Sequence, residues 1–253
     1  MKTFIPMLAV AAAMTGCATV GKQTVPAGAN TLTEQEKAEG WELLFNGRDL
    51  PKDKWVGEKE SFTNFPAKGW YAEDGMLFMK QGGVRGGSIV TIRKYRDFCF
   101  KFDFRLTEAA NSGIKYYYDE TVNNGGTCEE YQILDFRHPD ATKGRDGNRR
   151  VASLYDLIPA RAERIVKPAG QWNHGMIVAK GNHVEHWLNG VKVLEYERGS
   201  AAFRKAVAAS KYATWGKDRD GRPQPWGEVP VGRLHIQDHS DSVYFRNLKV
   251  REL

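Results

Sequence analysis

The chain has 253 residues, of which 41% are hydrophobic, 11% aromatic and 27% charged, with a formal net charge of +6 at neutral pH. It is too apolar for a disordered protein and suits one compact domain. The excess of positive charge clusters only at Lys143, Arg145, Arg149 and Arg150. That segment lacks the aromatic array of a nucleic-acid site, so we expect a solvated loop and no nucleic-acid partner. Steering of an anionic ligand is the alternative.

The N-terminus has the pattern of an export signal. Lys2 precedes an apolar run over residues 4–14, and Thr15-Gly16-Cys17 follows. The M-T-G-C stretch resembles a bacterial lipobox, in which Cys17 becomes the lipidated first residue; ordinary secretion is the alternative. By the same resemblance, Ala18 after that cysteine favours an outer-membrane anchor with the domain in the periplasm. No later stretch approaches the length of a membrane span, so we expect membrane contact through the lipid alone.

The predicted organisation is a signal peptide over residues 1–17, a tether over 18–32 and a single domain over 33–253. The tether is small and polar in composition. Thr33 and Glu36 have capping-box spacing, which predicts a short helix toward Glu39.

Alternation of apolar and polar residues dominates the rest of the chain. In 97–106, Phe98, Phe100, Phe102 and Phe104 fall on one face, which predicts a strand with one side in a core. Further strands are predicted at 112–118, 130–135, 174–180, 183–188, 191–196, 233–238 and 243–250. One helix is predicted at 201–212, capped by Ser200 and lying over a sheet edge. Short strands with few helices predict an all-β fold, a two-sheet sandwich or jelly roll.

The parity of each strand predicts which polar side chains face away from the core. The predicted outward set is Lys101, Asp103, Arg105, Lys115, Tyr117, Glu130, Gln132, Arg233, His235 and Gln237. Asp135 has the opposite parity, although a bulge or the strand end could bring it round. We expect Glu130 to be at least partly solvated.

Each candidate also has an ordinary structural interpretation. Glu130 is either a solvated strand carboxylate or a catalyst, and Lys115 is either a surface lysine or an electrostatic partner. Trp187 is either a sugar-stacking platform or half-buried in the core. Residues 237–240 form either a surface turn or part of a site. The 6 histidines show no metal-binding spacing, which leaves a divalent metal held from separate strands as an open alternative. Cys99 and Cys128 are expected to be free thiols.

Six segments, in order along the chain, resemble one bacterial family. They are G-W-E-L-L-F-N-G-R-D-L (40–50), N-S-G-I-K-Y (111–116), E-Y-Q-I-L-D (130–135), S-L-Y-D-L-I-P (153–159), V-A-K-G-N-H-V-E-H-W-L-N-G-V-K-V (178–193) and I-Q-D-H-S-D-S-V-Y-F-R-N-L-K-V-R-E-L (236–253). The family is that of the 3-keto-disaccharide hydrolases, also described as 3-keto-glucoside 1,2-lyases and 3-keto-2-hydroxy-glucal hydratases. The resemblance covers residues 40–253 and implies a concanavalin A-like jelly roll.

The resemblance implies a substrate already oxidised at C3, a 3-keto-glucoside or 3-keto-disaccharide. Removal of the C2 proton, β-elimination of the C1 substituent and hydration of the resulting 2-hydroxy-3-keto-glucal then amount to net hydrolysis. On this basis the predicted catalytic residues are Glu130, His239 and Lys115. The predicted substrate-binding residues are Gln132, Gln237, Asp135, Asn111, Tyr155 and Trp187.

We expect a separate sugar 3-dehydrogenase to make the ketone, and neither a nicotinamide nor a flavin in this chain. Two other functions stay open. One is a carbohydrate-binding lipoprotein without catalysis. The other is a conventional two-carboxylate glycoside hydrolase, although Gln132 between Glu130 and Asp135 weakens that interpretation.

Overall fold

The computed structural model describes residues 27–122, 128–162, 165–215, 221–222 and 225–253. The strands are, in chain order, β1 (Glu42–Leu43), β2 (Trp55–Gly57), β3 (Trp70–Glu73), β4 (Met76–Met79), β5 (Ile89–Thr91), β6 (Phe98–Leu106), β7 (Asn111–Tyr118), β8 (Glu129–Leu134), β9 (Asn173–Lys180), β10 (His183–Leu188), β11 (Val191–Glu197), β12 (Arg233–Ile236) and β13 (Val243–Glu252). The helices are α1 (Glu34–Ala38) and α2 (Ala201–Ala208), with 3-10 turns at Pro139–Thr142 and Lys211–Thr214.

These strands form two antiparallel sheets. The larger has 8 strands in the order β11-β10-β9-β6-β13-β4-β3, with β1 paired to β13. The smaller has 5 strands in the order β2-β5-β12-β7-β8. Consecutive strands in the sequence often lie in different sheets, which is the connectivity of a jelly roll. The predicted all-β two-sheet sandwich is confirmed.

The core lies between the sheets. The four phenylalanines of β6 are each at most 1% exposed, as their alternation predicts. The ring of Phe102 meets Tyr131 of the smaller sheet edge-on, with ring centroids 5.1 Å apart. Gly175 lies opposite Phe102 on β9, and a Cβ there would stand 2.2 Å from the Phe102 ring. Glycine is therefore needed where this ring crosses the neighbouring strand.

Tyr117 corrects the predicted facing of β7. Its φ of 56° interrupts the extended backbone, so the alternation of sides is broken at this residue. The Tyr117 ring turns into the core, where it meets Phe98 at 5.7 Å, and its hydroxyl donates to the carbonyl of Arg96 at 2.8 Å. Lys115 precedes the irregularity and keeps its predicted side.

Both predicted helices are present. Thr33 and Glu36 form the predicted capping box of α1. Ser200 caps α2 through the amide of Phe203, and the Phe203 ring stacks on Tyr196 at 5.6 Å. The predicted helix over 201–212 is shorter than expected, because α2 ends at Ala208 and a separate 3-10 turn follows.

Cys99 and Cys128, in the described domain, are both buried and form no disulfide, as expected. In the described ranges, no helix is long and apolar enough to cross a bilayer. The predicted signal peptide, Cys17 and the first residues of the predicted tether lie outside the described residues.

Candidate active site

The floor of the site is the outer face of the smaller sheet. Lys115 on β7 lies directly opposite Glu130 on β8, and Gly113 lies opposite Gln132. Because side chains alternate along a strand, Lys115, Glu130 and Gln132 share the face away from the core. Strand β12 pairs with the other edge of β7 and leads into Gln237. The backbone N–H of Gln237 donates to the backbone carbonyl of Gly113 at 3.0 Å.

Gly113 leaves the space in which two of these side chains meet. A Cβ at this position would lie 2.6 Å from Oε1 of Glu130 and 2.6 Å from Oε1 of Gln237. Side chains from the strands on either side therefore converge above the Gly113 backbone. This close approach explains a glycine in the middle of a strand, where it would otherwise weaken the sheet.

A roof of irregular segments closes over this floor. Asp140, in the 3-10 turn Pro139–Thr142, accepts a hydrogen bond from the Tyr155 hydroxyl at 3.2 Å. Lys211 opens the second 3-10 turn, and its amide donates to Asp156 at 2.9 Å. The Lys211 ammonium lies over the Tyr155 ring, 4.4 Å from its centroid. Two segments distant in sequence are thereby fixed to each other above the sheet.

Floor and roof enclose a cavity of about 200 Å³. It is lined by Asn111, Lys115, Glu130, Gln132, Asp140, Tyr155, Lys211, Tyr212, Trp215, Gln237 and His239. The volume is below the roughly 300–1,000 Å³ of pockets that enclose drug-sized ligands. A single polar ring fits such a space better than an extended chain. A larger cavity of about 430 Å³ elsewhere has a mainly apolar lining.

Glu130 lies at the bottom of the cavity. Its residue is 5% exposed, which corrects the expectation of a partly solvated side chain, because the roof covers the sheet here. Burial raises the pKa of this carboxyl, and the charges of Lys115 and Lys211 and a hydrogen bond from Gln237 oppose the rise. A carboxylate with a raised pKa beside fixed cations is suited to accept a proton near neutral pH.

The two lysines of the cavity differ in the direction of their pKa shifts. Burial disfavours the Lys115 ammonium, but the acidic groups of Cys128, Glu130 and Glu58 outweigh it and raise the Lys115 pKa. At Lys211 the effect of burial is larger than the attraction of the Glu130 and Asp156 carboxylates, so the Lys211 pKa is lowered. Lys115 therefore holds its proton and supplies a fixed charge, whereas Lys211 gives up its proton more readily.

Gln237 connects His239 to Glu130. Nε2 of His239 lies 3.2 Å from Oε1 of Gln237, a contact in which the imidazole N–H donates to the amide oxygen. The Gln237 side chain in turn hydrogen-bonds to the Glu130 carboxyl. Burial lowers the pKa of His239, with Arg85 as the next cause. The imidazole is therefore neutral at pH 7, with Nδ1 carrying the lone pair.

Gln132 presents an unused acceptor. Its residue is 1% exposed, its Nε2 donates a long hydrogen bond of 3.5 Å to Asn111, and its Oε1 has no partner. An unpaired buried amide oxygen costs about 1–3 kcal/mol. A ligand hydroxyl placed in the cavity would satisfy it, which fits the predicted binding role of Gln132 and Asn111.

Three candidates from the sequence lie elsewhere. Asp135 is buried and accepts from the amides of Ala109 and Arg137 at 3.1 and 3.0 Å, because it turns toward the sheet end as its parity indicates. Trp187 belongs to the other sheet, where Nε1 donates to Glu185 at 2.7 Å. His235 shares the face of Lys115 but stacks on Tyr118 at 4.9 Å, outside the cavity lining.

Asp140, Lys211, Tyr212 and Trp215 were not predicted as site residues. They come from irregular segments, in which no periodicity assigns a direction to a side chain. One expectation pointed toward them in part, because the helix predicted over 201–212 is expected to cover a sheet edge. The residues that follow α2 provide this cover over the floor.

A cation site is not evident in the cavity. Among the described residues, the group of His, Asp or Glu atoms close enough to share a metal is His183, Glu185 and Glu195, on the larger sheet. Lys192 already pairs with Glu185 and Glu195 at 3.0 and 2.6 Å. In the cavity two ammonium groups accompany Glu130, a set that suits a developing oxyanion better than a dication.

Comparisons with known proteins agree with this architecture. Residues 40–251 match the model of the 3-keto-alpha-glucoside-1,2-lyase-like domain. A 3-keto-disaccharide hydrolase of Bacteroides thetaiotaomicron is 32% identical over 236 residues, 85% of this chain and 79% of the relative. Two crystal structures from Parabacteroides distasonis, both described as glycosyl hydrolases, are also similar. The first has a TM-score of 0.74 at 32% identity and covers 89% of this chain and 99% of its own. The second has a TM-score of 0.61 at 27% identity and covers 84% and 99%. The chain belongs to the 3-keto-alpha-glucoside-1,2-lyase-like family.

Proposed function

We propose that the protein cleaves 3-keto-glucosides by elimination across C1 and C2, followed by hydration of the 2-hydroxy-3-keto-glucal, so that the net reaction is hydrolysis. The observation that carries this proposal is the placement of Glu130. It is a buried carboxyl with a raised pKa, and it lies opposite the fixed positive charge of Lys115. Deprotonation next to a ketone needs this combination of a base and a cation.

In the first step, Glu130 takes the C2 proton and the electrons of the C2–H bond pass into the enolate at C3. Lys115 stabilises the negative charge that develops on the C3 oxygen. When the C3 carbonyl reforms, a C1–C2 double bond is made and the C1–oxygen bond breaks. Gln132 and Asn111 bind ring hydroxyls, and Gln237 holds the Glu130 carboxylate in place. Water then adds at C1 while Glu130 returns its proton to C2.

Hydride chemistry is absent from this sequence of steps. The ketone that acidifies C2–H must therefore come from a separate sugar 3-dehydrogenase, and we propose no nicotinamide or flavin for this chain. One relative is named a 3-keto-disaccharide hydrolase, which supports a substrate of this class for the proposed reaction.

A two-carboxylate glycoside hydrolase is the second candidate, and one observation favours it. Asp140 lines the same cavity, and although burial opposes it, hydrogen bonds and charges from its neighbours lower its pKa while that of Glu130 is raised. One protonated and one ionised carboxyl are the pair that such enzymes use. However, Asp140 is already engaged by Lys143 at 2.9 Å and by Tyr155.

A comparison of two substrates separates these functions. The protein is incubated with a 3-keto-disaccharide and, in parallel, with the unoxidised disaccharide. Release of sugar from the 3-keto form alone supports the proposal. Release from the unoxidised form supports conventional hydrolysis, and binding of either without turnover supports a carbohydrate-binding role.

We further propose that the enzyme acts in the periplasm, attached to the outer membrane through lipidated Cys17.

A further inference from the structure

The walls of the cavity differ in depth. Glu130 and Gln132 on the sheet are 5% and 1% exposed, and they form its floor. Trp215 on the roof is 37% exposed, and Lys211 and His239 are exposed as whole residues, although their ionisable groups lie on the inner side, where burial lowers both pKa values. The mouth of the cavity is therefore lined by Lys211, Trp215 and His239.

The difference between the buried floor and the exposed mouth determines how the substrate of the proposed reaction is oriented. A cavity of about 200 Å³ has room for one sugar ring. When the 3-keto ring occupies the floor, with C2 against Glu130, the C1 substituent has to project toward the mouth. The leaving oxygen then lies beside the residues of the roof.

We propose that Lys211 is the general acid that protonates the leaving oxygen at C1. This inference rests on the proposed function and adds a residue and a role to it. Three contacts place the side chain at the mouth. The Lys211 amide is held by Asp156, and the ammonium lies 4.4 Å from the centroid of the Tyr155 ring and 5.0 Å from that of Tyr212. In the described part of the chain, no carboxylate forms an ion pair with this ammonium, so its protons are available to a ligand.

The other polar groups at the mouth do not fill this role. Neighbouring hydrogen bonds and charges lower the pKa of Asp140 against the effect of burial, so it is ionised and has no proton to give. The Tyr155 hydroxyl donates to Asp140, and burial raises its pKa. His239 is neutral at pH 7, and its Nε2 proton is directed to Gln237. Lys211 is cationic, and burial lowers its pKa, which makes it the better acid.

The proton balance closes over the two half-reactions. During elimination, Glu130 gains the C2 proton and Lys211 gives a proton to the oxygen that departs with the C1–oxygen electron pair. The products are the alcohol, the glucal and a neutral lysine. During hydration, Lys211 takes a proton from water as its oxygen bonds to C1, and Glu130 returns its proton to C2. Both residues end the cycle as they began it.

The test uses leaving groups of different basicity. A p-nitrophenolate leaves without protonation, whereas a sugar alkoxide does not. For Lys211→Met, we expect kcat on a 3-keto-disaccharide to fall by roughly 10²–10³-fold, within the range of general acid catalysis. On p-nitrophenyl 3-keto-glucoside we expect a fall of less than about tenfold. Lys205→Met, on the exposed face of α2, is the matched control and should retain activity on both substrates.

Lys211→Arg separates proton donation from charge. Arginine keeps the positive charge but does not release a proton at working pH. We expect it to remain as slow as Lys211→Met on the disaccharide. Recovery of disaccharide turnover by Lys211→Arg, or equal losses on both substrates for Lys211→Met, would overturn the role of Lys211. Failure of the proposed function gives a different result, in which the unsubstituted enzyme turns over neither 3-keto substrate.

Discussion

Lys115 and Glu130 lie directly opposite each other on neighbouring strands of the smaller sheet, so that an ammonium and a buried carboxyl enter one cavity from the same wall. Their placement follows from register alone. A shift of one residue in either strand would turn one of the two into the core. The chemistry proposed for the site therefore depends on the same alternation that builds the sandwich.

Replacing Glu130 with Gln should remove the base while keeping the shape of the side chain. We expect turnover of a 3-keto-glucoside to fall by roughly 10²–10⁴-fold. His239→Ala should give a comparable loss, and the double variant should be much less than additive, because Gln237 joins the two residues into one unit. Steady-state kinetics on folded protein, checked by circular dichroism, provides the measurement. A rise in KM alone would instead assign Glu130 to substrate binding.

Gly113→Ala should damage the site more than the fold. The new Cβ would stand 2.6 Å from the oxygens of Glu130 and Gln237, which are the ends of flexible side chains and can move aside. Displacing them by about 1 Å should cost on the order of 100-fold in kcat/KM. Gly175→Ala is the contrasting variant, because its Cβ meets the Phe102 ring in the core and should lower the melting temperature. Normal activity of Gly113→Ala would contradict the geometry of the floor.

Phe102→Ala tests the core. The ring is 1% exposed and packs against Tyr131 across the two sheets. Truncation should cost about 3–5 kcal/mol in the free energy of unfolding through the cavity that it leaves. Urea denaturation gives the value, and a loss below about 1 kcal/mol is incompatible with a core position.

The dependence of kcat/KM on pH should be bell-shaped and narrow. Glu130 must be ionised to accept a proton, and its raised pKa moves the acid limb above the ordinary value of 4.5. Lys211 must be protonated to donate, and its lowered pKa moves the alkaline limb below 10.5. With p-nitrophenyl 3-keto-glucoside the alkaline limb of Lys211 should disappear, and the limb that remains should belong to Lys115, above 10.5. An alkaline limb that is the same for both leaving groups would belong to another residue.

Cys17→Ala tests the predicted anchor. If Cys17 is the lipidated residue, the unsubstituted protein should fractionate with membranes and the variant should be released into the soluble fraction. Immunoblotting of the two fractions decides this. The prediction is wrong if the variant remains with membranes to the same extent.

The alternation in β6 predicted both the strand and its buried face, because a two-residue period can be recognised in one strand without knowing which strands pair with it. It failed at Tyr117, where a left-handed backbone reverses the side of the chain. The pattern left Trp187 open between a sugar-stacking platform and a half-buried core residue, because it could not tell which sheet carried the residue. Strands as short as β2, with 3 residues, have too few positions to show a period.

The candidate site likewise has a part that the sequence predicts and a part that it does not. Its floor, with Glu130 and Gln132 on one face, was predicted from strand parity and from the resemblance. Of its roof, only Tyr155 was predicted, from the resemblance. Lys211 and Asp140 were not, since they lie in 3-10 turns whose direction depends on tertiary contacts such as the bond from Lys211 to Asp156. The burial of Glu130, and with it the raised pKa, is a consequence of that roof.

The central claim is that cleavage begins with removal of the proton at C2, and isotope exchange tests it most directly. A 3-keto-disaccharide is cleaved in D₂O, and the released 3-keto-glucose is analysed by NMR at early times. The control for non-enzymatic exchange is 3-keto-glucose kept in the same buffer with the Glu130→Gln variant. The Glu130 carboxyl proton exchanges with solvent while water replaces the departing alcohol, so elimination followed by hydration predicts deuterium at C2 of the product beyond the control. A product that keeps its original hydrogen at C2 would contradict the mechanism and indicate direct hydrolysis.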